Sequence, residues 1–408
     1  VSANTTIAPA PSRSVLINSA FLFTACNAVT HGFSMFLYSA LLPEIRQHFQ
    51  LSYTTASLIA SLLLLSYMTT SILSGGWIAR WQGRAVLVAT ICLSVPLLIL
   101  AVSTSWVAVF ALALAAVSGC AVANWNAIVA YAGQAIPGQY RSRILGLSSS
   151  GAAFAIGLNG LLIAWLLPWV TLAQFWLVCA AITLIVAILT WRGLPAAPAQ
   201  TGHSAEASVT ASSTWTLLKS QPLAWQILLL SAFIGCVSGP LLTFLSSFVV
   251  ERLGGTSAQT GSLWTMLGVA GMAGGLGMGL LADRFGILSL VQRSLMVLAV
   301  CVALMLLRPS LAVVWVTVTL FSALYFPIWG LMASYVSDRT DGHSSVRIIS
   351  LSMVGYGLGS ASANALCGAL LDITGSFAVV HSWVLFWVLV NVVWVGFMQR
   401  RSQPLVMV

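Results

Sequence analysis

Charge is the scarcest property of this chain. Only 6% of its residues are Asp, Glu, Lys or Arg; seven are acidic, and lysine occurs once, at Lys219. A water-soluble domain of 408 residues needs polar faces that such a composition does not supply. The chemistry-bearing motifs of several enzyme classes are missing too. There is no HExxH pair for a metal hydrolase and no GxxxxGK[ST] loop to cradle nucleotide phosphates, so neither metal chemistry nor direct use of ATP is expected. The seven cysteines, Cys26, Cys92, Cys120, Cys179, Cys236, Cys301 and Cys367, lie in apolar runs without a CxxC spacing. That argues against a disulfide framework or a zinc site and leaves them as small packing residues. No cofactor or metal is expected. The formal net charge of +9 does not point to nucleic acid, because the basic residues are dispersed over many short segments and form no single patch.

What the chain has in abundance is apolar length. It is 59% hydrophobic and divides into a dozen runs near 15–40, 54–77, 85–104, 106–133, 144–167, 170–191, 223–250, 257–281, 288–307, 310–336, 348–371 and 377–398. About 20 apolar residues in a helix cross a hydrocarbon core of ~30 Å. The expected fold class is therefore an all-α polytopic membrane protein of twelve spans. Arg13, Arg80, Arg84, Arg141, Arg143, Arg192, Lys219, Arg284, Arg293, Arg339, Arg347, Arg400 and Arg401 fall on one side of this pattern, while Arg46, Arg252 and Arg308 fall on the other. Cationic side chains resist translocation, so both termini are expected in the cytoplasm. Contact with anionic lipid accounts for the remaining basic excess. The first fourteen residues are polar and the run behind them is long enough to span, so no cleavable signal is expected.

Residues 192–222 break the apolar pattern with Ala, Pro, Ser and Thr and read as a flexible cytoplasmic linker. The expected organisation is a tail (1–14), a six-helix bundle (15–191), the linker (192–222), a second six-helix bundle (223–398) and a tail (399–408). The bundles repeat one another. GWIARWQGR from Gly76 answers GLLADRFGI from Gly279 at an offset of 203, which also relates Gly83 to Gly286. Tyr131, Arg143 and Gly151 answer Tyr335, Arg347 and Gly355 at 204; His31, Gly32 and Glu44 answer Ser238, Gly239 and Glu251 at 207. A near-constant offset in three regions indicates an internal duplication. Parallel six-helix halves are a transporter plan, with the solute site at their interface near the midplane.

GLLADRFG (Gly279 to Gly286), DITGSF from Asp372 and LLPEIRQHFQLS from Leu41 resemble segments of the major facilitator superfamily, and the resemblance covers essentially the whole chain. It implies two pseudo-symmetric six-helix bundles working by alternating access, with spans 1, 4, 7 and 10 lining the solute path. The expected partners are a small organic solute, protons and the lipid bilayer, with no nucleic acid, and the expected state is a monomer.

Asn27, His31, Ser34 and Tyr38 fall on one face of span 1, by spacings of four, three and four. A polar stripe in a membrane faces either a solute cavity or a neighbouring helix to which it hydrogen-bonds. His31 is the one titratable side chain expected near mid-membrane, which makes it the candidate for proton coupling; a neutral, hydrogen-bonded imidazole is the other reading. Trp125 and Trp329 share the 204 offset, so the two indoles can face each other across the pseudo-twofold axis, or else lie toward lipid. Asn124, Asn126 and Tyr325 are close by in sequence. Tyr356 and Asn364 on span 11 are further cavity candidates, with Ser148, Asn159 and Ser360 secondary.

The loops on the linker side suggest a gate made of Gly76, Arg80, Gly83, Arg84, Arg141 and Arg143 in the first half and Gly279, Asp283, Arg284, Gly286, Asp338 and Asp341 in the second. At the offset of 203 the acid expected from the resemblance is Asp283 in one half and is replaced by Arg80 in the other. Arg80 then pairs with Asp338 or Asp341, and Asp283 with Arg141 or Arg143, or else Arg80 serves orientation alone. Span 5 lacks the Gly-Pro pair common in exporters of the resembled family, which favours proton symport over efflux by antiport. A sensor built on a transporter scaffold and a polytopic membrane enzyme are the readings from other classes.

Overall fold

The computed structural model describes residues 13–195 and 218–402. Most of both tails and of the expected linker (196–217) lie outside the described residues. Among those described, every regular element is helical. Eleven helices are long and apolar enough to cross a membrane. The twelfth span of the fold is Gly342–Thr374, 33 residues long and diluted by Gly, Ser and Asn where it packs against spans 7 and 2.

The first half consists of span 1 (Arg13–His31, Gly32–Phe36 and Leu37–Ala40), a short surface helix (Leu42–Phe49), span 2 (Tyr53–Trp81), span 3 (Gly83–Ser103), span 4 (Val107–Ala135), span 5 (Gly138–Ser149 and Gly151–Trp165) and span 6 (Leu172–Gly193). The second half repeats it as span 7 (Pro222–Ser247, continued by Phe248–Arg252), span 8 (Ser257–Phe285), span 9 (Ile287–Leu307), span 10 (Leu311–Tyr325 and Ile328–Ser337), span 11 (Gly342–Thr374) and span 12 (Ala378–Ser402). The chain enters and leaves the linker at one end of this bundle, the linker face. The opposite end is the distal face.

The caps of the helices reveal the duplication in three dimensions. Ser52 caps span 2 by accepting the Thr55 N–H, and Thr256 caps span 8 by accepting that of Gln259, 204 residues on. Span 2 turns into span 3 at Gln82 (φ 66, ψ 152), and span 8 into span 9 at Gly286 (φ 76, ψ 143), again 204 residues on. This corrects the 203 register expected for the loop. Arg80 is the counterpart of Arg284, not of Asp283, and Ala79 takes the place of the acid. Each arginine lies over the aromatic ring that follows it, Arg80 over Trp81 at 5.7 Å and Arg284 over Phe285 at 5.5 Å. The matching glycines misled because they serve different ends. Gly286 supplies the positive φ of the corner, whereas Gly83 lets span 3 approach span 4, where a Cβ would meet the Tyr131 N at 2.9 Å.

Spans 1 and 7 are both broken at equivalent depth, by different chemistry. Span 1 has a π-helical turn at Gly32–Phe36, with Ser34 at φ −106 and ψ −111. Span 7 has Pro240 in its interior, which removes one backbone donor. The Asn159 amide donates to the Gly32 carbonyl at 2.7 Å, so span 5 satisfies an acceptor at the π turn.

The halves meet along two seams. Span 5 crosses span 8 where Gly157 and Gly160 face Gly268 and Gly261, backbone against backbone. Span 2 lies along span 11 through Ser57 against Gly368, the Ser61 hydroxyl on the Ala361 carbonyl at 2.7 Å, and Met68 against Gly357. These contacts run from the distal face to mid-bundle. Nearer the linker face, Gly75, Gly76, Gly146, Gly275, Gly277 and Gly279 all face open space. The cross-half contacts thus lie between the distal face and mid-bundle.

Candidate functional site

Where the joined region ends, side chains from spans 1, 2, 7, 10 and 11 converge. His31 is the residue on which the π turn of span 1 begins, and it is 8% exposed. Its Nε2 lies 3.2 Å from the Tyr67 hydroxyl of span 2, with the rings edge to face at 5.7 Å. Nδ1 has no bond of strict geometry; its nearest backbone acceptor is the Asn27 carbonyl one turn back. That arrangement suits a neutral imidazole with its proton on Nδ1 and the Tyr67 O–H donating to Nε2. In the second half, Ser238, the counterpart of His31, donates to the Tyr356 hydroxyl at 3.3 Å. The Tyr356 ring meets Trp329 edge to face at 4.9 Å. Tyr325 donates to the Ile234 carbonyl and stacks on Phe321 at 4.5 Å. Tyr67 and Tyr356 lie within electrostatic reach of each other across the seam, next to the Met68 and Gly357 contact. A wall of phenols, one indole and one imidazole thus spans both halves. Among the described residues, no Asp, Glu, Lys or Arg belongs to it.

The other cavity candidates are placed as follows. Asn27 donates to the Ser148 carbonyl at 2.8 Å and fastens span 1 to span 5. Ser34 bonds back to the His31 carbonyl at 3.0 Å. The Tyr38 hydroxyl is fully buried on the Ala56 carbonyl at 2.7 Å, and Asn124 is fully buried on Leu87 and Thr90. These bonds stay within the first half. Asn126 reaches Ser74 at 2.8 Å, on the linker half of span 2. Trp125 is partly buried, and Asn364 is buried with its amide oxygen unpartnered.

The gate candidates stand apart in this state. Asp283 and Asp338 are exposed and make no ion pair among the described residues. Arg141 turns to the Gly133 and Ile136 carbonyls, and Arg84 to those of Leu194 and Trp191. Asp341 caps span 11 at the Ser344 N–H.

Sequence reasoning passed over the residues that hold the distal face. Arg46 of the first half pairs with Glu251 of the second, its Nη1 at 2.6 and 2.8 Å from the two carboxylate oxygens. The guanidinium lies 3.3 Å from the Tyr53 ring centroid, and the Tyr53 hydroxyl donates to Glu251 as well. Asp372, at the end of span 11, accepts the Tyr53 and Thr54 N–H groups at 2.9 and 2.7 Å and so caps span 2 from the other half. Ser257 donates to Glu44 at 2.6 Å. Tyr67 was missed too, although Ser66, Tyr67 and Thr70 are polar residues in the middle of an apolar run.

Two parallel six-helix halves, bonded to each other toward the distal face and sharing a polar wall, are the plan of an integral multi-pass membrane transporter. The family model of the Major Facilitator Superfamily matches residues 24–364, and the chain belongs to that superfamily. Among solved structures, the nucleoside transporter NupG superposes with a TM-score of 0.75 at 13% identity, covering 96% of this chain and 100% of that one. The D-xylose-proton symporter gives 0.73 at 14% identity over 94% and 97%. A bacterial homolog of the human lysosomal transporter Spinster, in an inward-facing and unoccupied conformation, gives 0.70 at 15% over 95% and 96%. At these identities the likeness is one of fold. No curated protein sequence matches the chain.

Proposed function

We propose that this protein is a secondary active transporter that moves a small organic solute by alternating access, coupled to proton symport. The observation that carries the reading is the placement of the bonds that join the halves, which run from the distal face to mid-bundle. Under the orientation favoured by the distribution of arginines, the linker face is cytoplasmic, the membrane is a bacterial inner membrane and this state is inward-open. The monomer is the transporting unit.

The solute meets His31, Tyr67, Tyr356 and Trp329, with Tyr325 buried behind them. With no fixed charge in that wall, a net charge on the bound part of the solute would be desolvated without a counter-ion, so an uncharged solute with hydrogen-bonding edges fits best. His31 is the coupling group, since it is the titratable side chain of the wall and its hydrogen bond to Tyr67 connects it to the seam. When the linker face closes, Arg80 approaches Asp338 or Asp341, and Asp283 approaches Arg141 or Arg143. The fold of the D-xylose-proton symporter supports symport by analogy. Uptake of candidate solutes into proteoliposomes, with and without an inward proton gradient, tests the reading. Uptake that is unaffected by the gradient overturns the coupling, and no uptake of any solute overturns transport.

A further inference from the structure

We propose that Glu44 is a proton-binding site at the distal face, and that the protonated carboxyl locks this face shut. The inference rests on the alternating-access reading above, but it concerns a group remote from the solute wall. Glu44 lies in the first turn of the surface helix Leu42–Phe49, beyond the end of span 1. Its Oε1 accepts the Ser257 hydroxyl at 2.6 Å, a bond from one half of the protein to the other. Its Oε2 is buried and has no partner. A carboxylate oxygen in that position is largely desolvated without a well-formed hydrogen bond of its own; a neutral carboxyl loses much less. Beside it runs a cleft of about 670 Å³, lined by Glu44, His48, Pro168, Leu172 and Ser257, through which protons reach the site.

The charged groups on the surrounding elements do not reverse this preference. Arg46, on the same helix, is committed to Glu251 of span 7 and to the Tyr53 ring of span 2. Asp372 of span 11 is committed to the start of span 2. Arg252 follows Glu251 at the end of span 7, and His48 shares the cleft. The start of span 8 and the residues before span 6 contribute only uncharged groups to the lining. Burial pushes the Glu44 carboxyl above the ordinary carboxylate range; the Ser257 hydroxyl and the residue's own backbone N–H oppose the shift without cancelling it.

Linkage fixes the direction of the effect. When the distal face opens, Ser257 withdraws and Glu44 becomes hydrated, with a pKa near the ordinary value of about 4.3. The closed state therefore binds the proton more tightly, and protonation favours closure. The lock is complete below the hydrated pKa and is lost as pH rises through the raised closed-state pKa. Each pKa unit between the two states changes the closed-to-open ratio about tenfold across that window. Acid on the distal side thus drives the carrier toward the state seen here.

The test is a distance measurement across the distal face. Spin labels go at Ser103→Cys and Pro309→Cys, in the full chain lacking its native cysteines, at pH 5 and pH 8. The short-distance population should grow in acid. Glu44→Gln, a near-isosteric neutral stand-in, should hold the short distance at both values. Ser257→Ala should lower the closed fraction while keeping the direction of the pH response, and His48→Gln should leave the response intact. A pH response that persists in Glu44→Gln, or vanishes in His48→Gln, overturns the proposal. So does a wild type without a response, and solute uptake by that same protein then leaves the transport reading standing.

Discussion

Arg46 and Glu251 join the two halves through a single guanidinium nitrogen that reaches both carboxylate oxygens, at 2.6 and 2.8 Å. The pair is partly shielded, and the Tyr53 ring backs it with a cation–π contact at 3.3 Å. A partly exposed pair of this kind is worth roughly 1 kcal/mol. That is enough to tilt two conformations separated by a few kcal/mol. Arg46→Gln should therefore shift the protein toward distal opening, read as faster labelling of a cysteine placed at the buried distal residue Leu51 by an impermeant reagent. The exchange Arg46→Glu with Glu251→Arg should restore slow labelling. Equal rates in all these forms would show that the pair is ornamental.

His31→Ala should impair uptake with little loss of membrane-inserted protein, and Tyr67→Phe should flatten the pH dependence while retaining part of the rate. The reason is that the Tyr67 hydroxyl is the partner of Nε2. Initial uptake rates from pH 5.5 to 8 decide the matter. Wild-type behaviour in both variants would make the pair structural.

Trp329 and Tyr356 touch edge to face, so truncating both should cost less than the sum of the single losses in apparent affinity. Trp125 makes no ring contact with Trp329 among the described residues. Non-additive losses between Trp125→Ala and Trp329→Ala would then report a solute held between them. Additive losses would place Trp125 outside the site.

Gln82 holds φ 66 and ψ 152 at a corner where its counterpart is a glycine. A side chain in that region costs on the order of 1–3 kcal/mol, of which a glycine's greater unfolded-state freedom takes back a part. Gln82→Gly should raise the thermal midpoint by a few degrees without changing uptake. A lower midpoint would mean that the Gln82 side chain contributes more than its backbone loses.

The two faces can be assigned with a single cysteine at Ser204. An impermeant reagent added to intact cells should fail to label it and should succeed after lysis. Labelling of intact cells would invert the orientation and, with it, the direction of every gate argued above.

The topology was legible in the sequence because bilayer thickness sets a minimum length on each apolar run, and runs of that length occur at regular intervals. Even the interrupted spans 1, 5, 7 and 10 kept enough apolar length to be counted. The loop register was not legible. Gly83 and Gly286 look like partners, yet one packs and the other turns, and only backbone dihedrals separate those uses. The span 1 stripe was legible as a face but not as a set of bonds. Asn27 and Tyr38 end on carbonyls of neighbouring helices, and a sequence does not show where a neighbour's carbonyl will be. The Arg46 and Glu251 pair escaped for a related reason: the sequence places both charges at the same face without saying that this face is closed.

The bare backbone contact between Gly157 and Gly268 has a mechanical meaning. Two helices that cross without side chains between them share a fulcrum. Beyond Gly268, span 8 continues to Phe285 and carries span 10 with it, packed on it at Gly271 and Gly274. That arm is ~25 Å long at 1.5 Å per residue, so a tilt of ~10° about the crossing would swing its tip by ~4 Å. The bonds that oppose such a tilt lie on the other side of the fulcrum, at Glu44, Arg46 and Asp372. A few hydrogen bonds at one end of a lever can thereby govern an aperture at the other.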